Sequence, residues 1–186
     1  MKIEEIEKVI FDWHERSIGV KNDESSTRFD EKWTKVFEAL QNNNDELKDL
    51  IVEPETLLFR VHAGGNDEPQ RTDYDDQPNY PKVFEEAHKN WRADNNIEAI
   101  DFNNHWSSFT KSTDVIGSAY FAEKRLRGFV IVVLSDKAVD ISSRVAKKGV
   151  FNEQEVVAPM DEKTVIDKLP FKDFMKKYGG KETEKI

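Results

Sequence analysis

The first third of the chain carries its apolar residues at helical spacing; thereafter they cluster as strands do. Ile3, Ile6, Ile10 and Trp13 fall three or four apart, which predicts an amphipathic helix over residues 2–17. Gly19 and the polar run 21–26 break it. A second helix is expected from about Thr27, where Thr27-x-x-Asp30 resembles a capping box, with Phe29, Trp33, Val36, Phe37 and Leu40 on its buried face. Asn42, Asn43 and Asn44 form a turn, and residues 45–51 read as one more short helix. These helices are expected to cap the rest of the molecule and to carry no chemistry of their own.

After Pro54 the texture changes. Residues 56–63 form a dense apolar strand that Gly64 and Gly65 end. A polar loop over residues 66–81 follows, then a helix over 82–93 with Val83, Ala87 and Trp91 on one face. Residues 104–112 read as a strand and 113–123 as a short helix. Phe129 to Leu134 is a continuous run rich in β-branched residues, hence a central buried strand. A shorter strand is expected over residues 137–142, a loop over 143–152, a strand from Glu153, a last strand near 164–166 and a short helix around Phe171, Phe174 and Met175. Residues 179–186 read as a frayed end. The order is that of an α+β protein, with a helical segment over residues 1–53 before a core over 54–186, together one compact domain.

Composition narrows the function classes. With 37 acidic against 28 basic residues the net charge is −9, which disfavours a general nucleic-acid binder. The chain has no cysteine, so disulfides, zinc–thiolate sites and cysteine nucleophiles are excluded. His14, His62, His88 and His105 stand at no metal-ligand spacing, so no metal is expected. The longest apolar run is too short to span a bilayer, and acidic residues stand where a secretory signal would be basic. A soluble cytoplasmic protein is the expectation. No glycine fingerprint links a strand to a helix, which argues against a Rossmann or P-loop nucleotide site.

Three stretches carry candidate chemistry. In Asn152-Glu153-Gln154-Glu155-Val156-Val157-Ala158-Pro159 two carboxylates flank one residue. On a strand both would face the same way, roughly 6 to 7 Å apart. Such a pair suits a cationic sugar transition state: one stabilises charge at the anomeric carbon while the other engages the nucleophile. Arg60 sits in mid-strand between Phe59 and Val61. It reads either as a salt bridge at the sheet surface or as a guanidinium fork for phosphate. Ser107, Ser108, Thr110 and Ser112 place hydroxyls along one strand, either as ordinary exposed residues or as donors to a strand pair or ligand.

Phe59-Arg60, then Trp106-Ser107-Ser108-Phe109-Thr110, then Glu153-Gln154-Glu155 before an apolar run closed by Pro159 occur in that order. Together they resemble the arginine–serine–glutamate class of mono-ADP-ribosyltransferases, over roughly residues 57–166. Residues 152–159 look especially like small bacteriophage transferases that modify host proteins. Ser-Phe-Thr departs from that family's Ser-Thr-Ser, and Thr110-Lys111-Ser112 is a competing register.

The resemblance implies a core of two packed, mainly antiparallel sheets and NAD as co-substrate, without a metal. On it, Arg60 binds the NAD diphosphate, Ser108 holds the catalytic glutamate and the nicotinamide ribose, and Thr110 supports the strand. Glu155 stabilises the oxocarbenium-like ribose, and Glu153 engages the acceptor, with arginine as the modified residue. The segment 118–125 resembles the phosphate–nicotinamide loop of clostridial relatives, which would stack Phe121 on nicotinamide and give Arg125 a phosphate contact. Phe151 would lie in the loop that recognises the target. The implied activity is transfer of ADP-ribose to a protein, in the host cytoplasm if phage-encoded. The rivals are an NAD glycohydrolase using the same site and a non-catalytic partner-binding protein with a degenerate transferase fold.

Overall fold

The computed structural model describes residues 1–17, 26–42, 47–62, 68–95, 100, 102–124 and 126–180. Two amphipathic helices, α1 (Ile3–Ser17) and α2 (Ser26–Asn42), open it. The expected face of α1 is buried at Ile6 and Ile10 and partly at Trp13, with Val9 added and Ile3 left 40% exposed, and it meets Phe29, Trp33, Val36, Phe37 and Leu40 of α2 in one apolar cluster. Within residues 45–51 the described part is a single 3-10 turn, Lys48–Leu50, not an α-helix.

The capping box anticipated at Thr27 falls on a side chain outside the described residues, and what is described is Asp30. Its Oδ1 accepts the Trp106 N–H at 2.8 Å, and its Oδ2 lies 2.5 Å from His105 Nδ1. The carboxylate therefore ties α2 to the start of the second strand. Asp30→Ala leaves a backbone N–H without its acceptor and is expected to cost about 1–3 kcal/mol. Urea denaturation checks this; an unchanged midpoint would show the tie to be dispensable.

The strands are β1 (Leu57–His62), β2 (Asn103–Thr110), β3 (Phe129–Leu134), β4 (Val139–Asp140), β5 (Glu155–Asp161) and β6 (Val165–Pro170). They form one antiparallel sheet in the order β4-β5-β2-β1-β3-β6. The expected pair of sheets is thus a continuous six-stranded sheet with a weak seam. β1 follows β3 from Leu57↔Leu134 to His62↔Phe129, whereas it meets β2 at Phe59↔Thr110 alone. The β-branched run is interior as expected, though between β1 and β6 rather than at the centre.

Directly opposed residues point to the same face. Phe59, Thr110, Ser108, Glu155 and Val157 therefore share one face through the pairs Phe59↔Thr110, Thr110↔Glu155 and Ser108↔Val157. On that face α1 and α2 cover Trp106, Val139 and Val157 on one side of the seam. On the other, Val115 and Ile116 of α4 (Thr113–Gly117), Phe121 of α5 (Ala119–Glu123) and Phe174 of α7 (Phe171–Tyr178) pack on Phe59, Val130 and Val132. The two helical groups leave the seam between them.

Several boundaries differ from expectation for local reasons. The helix expected over 113–123 is two helices, because Ser118 stops α4 and its Oγ caps α5 by accepting from the Phe121 N–H. α3 runs Tyr80–Asn95, starting inside the anticipated loop. The strand expected over 137–142 is two residues long, because Asp140 Oδ1 accepts the Ser142 N–H at 3.0 Å and α6 (Ser142–Val145) begins there. No helix among the described residues is long and apolar enough to cross a membrane.

Candidate active site

The turn into β5 decides how the two carboxylates stand. Asn152 Oδ1 accepts the Gln154 N–H at 2.9 Å, an Asx turn, and Gln154 adopts φ 49. The strand begins only at Glu155. Glu153 is therefore not on a strand face with Glu155, and the anticipated spacing along a strand does not hold. The turn brings the two together another way. Glu155 is buried and Glu153 exposed, yet both line one cavity of about 870 Å³.

Glu155 is gripped from two sides. The Ser108 hydroxyl, diagonal to it across β2 and β5, donates to Oε1 at 2.5 Å. The indole N–H of Trp13, on α1, donates to the same oxygen at 3.0 Å. Oε2 lies 3.8 Å from His14 Nδ1. Ser108 is thus the hydroxyl of the two registers that touches the carboxylate. Thr110 pairs with Glu155 in the ladder and is buried, and its Oγ1 accepts the Ser112 N–H at 3.2 Å, a supporting position at the strand end.

Arg60 fills the seam. Alternation along β1 aims it away from the face that carries Phe59, yet its Nη1 donates to the Ser108 carbonyl at 2.8 Å and it lines the cavity. Burial lowers its pKa, and the charge of Glu155 works the other way. His62, two residues on, is held below the ordinary histidine value by burial and then by the Arg60 charge, against a backbone hydrogen bond involving Asn95. At neutral pH the cation here is the arginine and not the histidine.

Ser108, Glu153, Glu155 and Arg60 also line a smaller cavity of about 180 Å³, walled by Phe59, Val61, Phe109, Ile116, Phe121 and Leu126. Glu155 and Ser108 therefore sit where a roomy polar space meets a small apolar one. Phe121 is not free to stack as a mobile ring: it is 8% exposed and packed in the cluster of α4, α5 and α7. The ring that faces the larger cavity from this segment is Tyr120, which lies parallel to Phe151 at 4.4 Å between centroids. Phe151 is exposed at the rim beside Val150. Arg125 lies outside the described residues.

The larger cavity is lined by Arg16, Arg60, Lys124 and Lys147 as well as by the two glutamates. This is a local cationic excess in a chain whose net charge is −9. Sequence reasoning placed Arg60, Ser108, Thr110, Phe151, Glu153 and Glu155 at one site and the structure brings them together. It missed everything α1 contributes: Trp13, His14 and Arg16 line the same cavity. One signal was available. An indole N–H on the buried side of a helix needs an acceptor, and Trp13 has one in Glu155. Comparison of the chain with family models, with curated proteins and with solved structures finds no match.

Proposed function

We propose that this chain is an NAD-dependent mono-ADP-ribosyltransferase that moves ADP-ribose to a protein side chain, arginine being the acceptor. The observation that carries the reading is Glu155 held by Ser108 at the junction of two cavities that also share Arg60. Cleaving the nicotinamide–ribose bond needs an anchored anion, a restrained leaving ring and a carboxylate near the anomeric carbon. The arrangement offers each. Cations line a space whose size falls in the upper part of the range of small-molecule and cofactor pockets, on the order of 300–1,000 Å³. The smaller apolar cavity suits a flat, neutral ring, with Phe121 as part of its wall. The seam between β1 and β2 is where the two halves of the sheet would act as the two sheets of a transferase core.

In this reading Arg60 binds the diphosphate, Ser108 fixes Glu155, and Thr110 holds the strand end. Glu155 stabilises positive charge on the ribose as the C–N bond breaks and its electron pair leaves with nicotinamide. Exposed Glu153 takes the proton that the acceptor nitrogen loses as it bonds to the anomeric carbon. Val150 and Phe151, exposed at the rim, meet the target, which the resemblance to phage enzymes makes a host protein.

The test is incubation of the chain with adenylate-labelled NAD and a bacterial lysate. Labelled protein bands are expected from the wild type. Nicotinamide release without bands would favour the glycohydrolase, and untouched NAD the non-catalytic binder. Glu153→Gln is expected to keep NAD hydrolysis while losing modification of arginine, because the residue lies off the strand and away from the Ser108 grip. Undiminished transfer to arginine by that variant would remove Glu153 from its role.

A further inference from the structure

We propose that α1 belongs to the catalytic machinery: Trp13 is a positioning residue for Glu155, and His14 Nδ1 contacts the substrate hydroxyl that Glu155 engages. This rests on the transferase reading above.

The geometry around the carboxylate is asymmetric. Both strong donors, the Ser108 hydroxyl and the Trp13 indole, converge on Oε1 at 2.5 and 3.0 Å. Two donors from different elements, β2 and α1, hold Oε1 and leave Oε2 as the oxygen for substrate. The indole is itself held, edge-on to Phe29 at 5.5 Å and to Trp33 at 5.7 Å between ring centroids. It cannot swing away without disturbing the contact between α1 and α2.

His14 is adjacent on the helix and also lines the cavity. Its Nδ1 is buried and has no hydrogen-bond partner among the described residues. At 3.8 Å from Oε2 it is too distant for a direct hydrogen bond but near enough for one small group to touch both. A hydroxyl satisfies the pair: it donates to Oε2 and accepts from Nδ1–H. Buried polar atoms are rarely left unpartnered, and one beside the reacting carboxylate, on a side chain that lines the cavity, marks a place that a ligand hydroxyl can take. The chemical class is a sugar hydroxyl, in the transferase reading that of the nicotinamide ribose.

Three variants separate positioning from packing. Trp13→Phe keeps a ring against Phe29 and Trp33 and deletes the N–H. It is expected to lower kcat of nicotinamide release on the order of ten- to a hundredfold with KM little changed, since a misplaced carboxylate harms the chemistry more than the binding. His14→Phe is expected to raise KM for NAD about tenfold, the cost of one lost hydrogen bond. His14→Asn, whose amide can occupy the place of Nδ1, is expected to restore most of it. In the otherwise native chain, Glu155→Gln should move the Trp13 indole proton upfield in the NMR spectrum as its acceptor loses charge.

A Trp13→Phe variant with wild-type kcat overturns the proposal alone, as does an unmoved indole resonance or equal impairment of His14→Asn and His14→Phe. Absence of nicotinamide release from the wild type overturns the transferase reading and this proposal with it.

Discussion

Glu155→Gln is expected to abolish ADP-ribose transfer and nicotinamide release, a fall of more than about a thousandfold, while the fold survives intact. The structure explains why this substitution is the clean one. Glutamine keeps a carbonyl oxygen where Oε1 stands, so the Ser108 hydroxyl and the Trp13 indole keep their acceptor. The ladder pair with Thr110 is made by backbone and does not change. What disappears is the negative charge, and charge at one fixed point is what an oxocarbenium-like transition state needs. Alanine is the poorer test, because it strands two donors beside a buried strand end and mixes loss of chemistry with loss of stability. Circular dichroism and a thermal melt report the fold; labelled NAD reports the activity. A folded Gln variant with near-wild-type activity would mean that Glu155 is a structural carboxylate and that the chemistry lies elsewhere.

How far the sequence led to this site follows from what each signal encodes. Helical periodicity in residues 3–13 and 29–40 and the β-branched run 129–134 record burial, and burial is what the fold uses. Arg60, Ser108 and Glu155 were pointed to by resemblance, three short motifs in a family's order, and not by strand alternation, which aims Arg60 away from the face that Ser108 and Glu155 share. The paired-carboxylate argument gave the right residues for the wrong geometry. Alternation presumes a strand, and the Asx turn at Asn152 with Gln154 at φ 49 delays the strand to Glu155. Phe121 against Tyr120 was decided by the Ser118 cap, which breaks the helix and sets which ring turns inward. That Trp13 needs an acceptor could be read, but which residue supplies it could not, for a different reason. Trp13 and Glu155 are 142 positions apart, and the pairing depends on how α1 crosses the sheet, which no local pattern records.

Arg60→Lys carries the second large effect, since this residue serves two ends at once. One edge of its guanidinium donates to the carbonyl of Ser108, the residue whose hydroxyl holds Glu155. The rest of the fork is left for an anion in the cavity. A lysine ammonium is a single compact donor group that cannot hold the Ser108 carbonyl and also present a flat edge to a diphosphate. The expected result is a KM for NAD raised tenfold or more, by about 1.4 kcal/mol of binding per factor of ten. A smaller fall in kcat should accompany it, through the loosened grip on Glu155. Stability should drop by about 1.5–3 kcal/mol, the worth of one hydrogen bond from a charged group at the seam. Steady-state nicotinamide release over a range of NAD concentrations separates the two constants, and calorimetric titration of NAD into the Arg60→Lys, Glu155→Gln double variant isolates binding from turnover. If affinity for NAD is unchanged while stability falls, Arg60 is a structural rivet of the β1–β2 seam, and the diphosphate must be held by the other cations of the cavity, Arg16, Lys124 and Lys147.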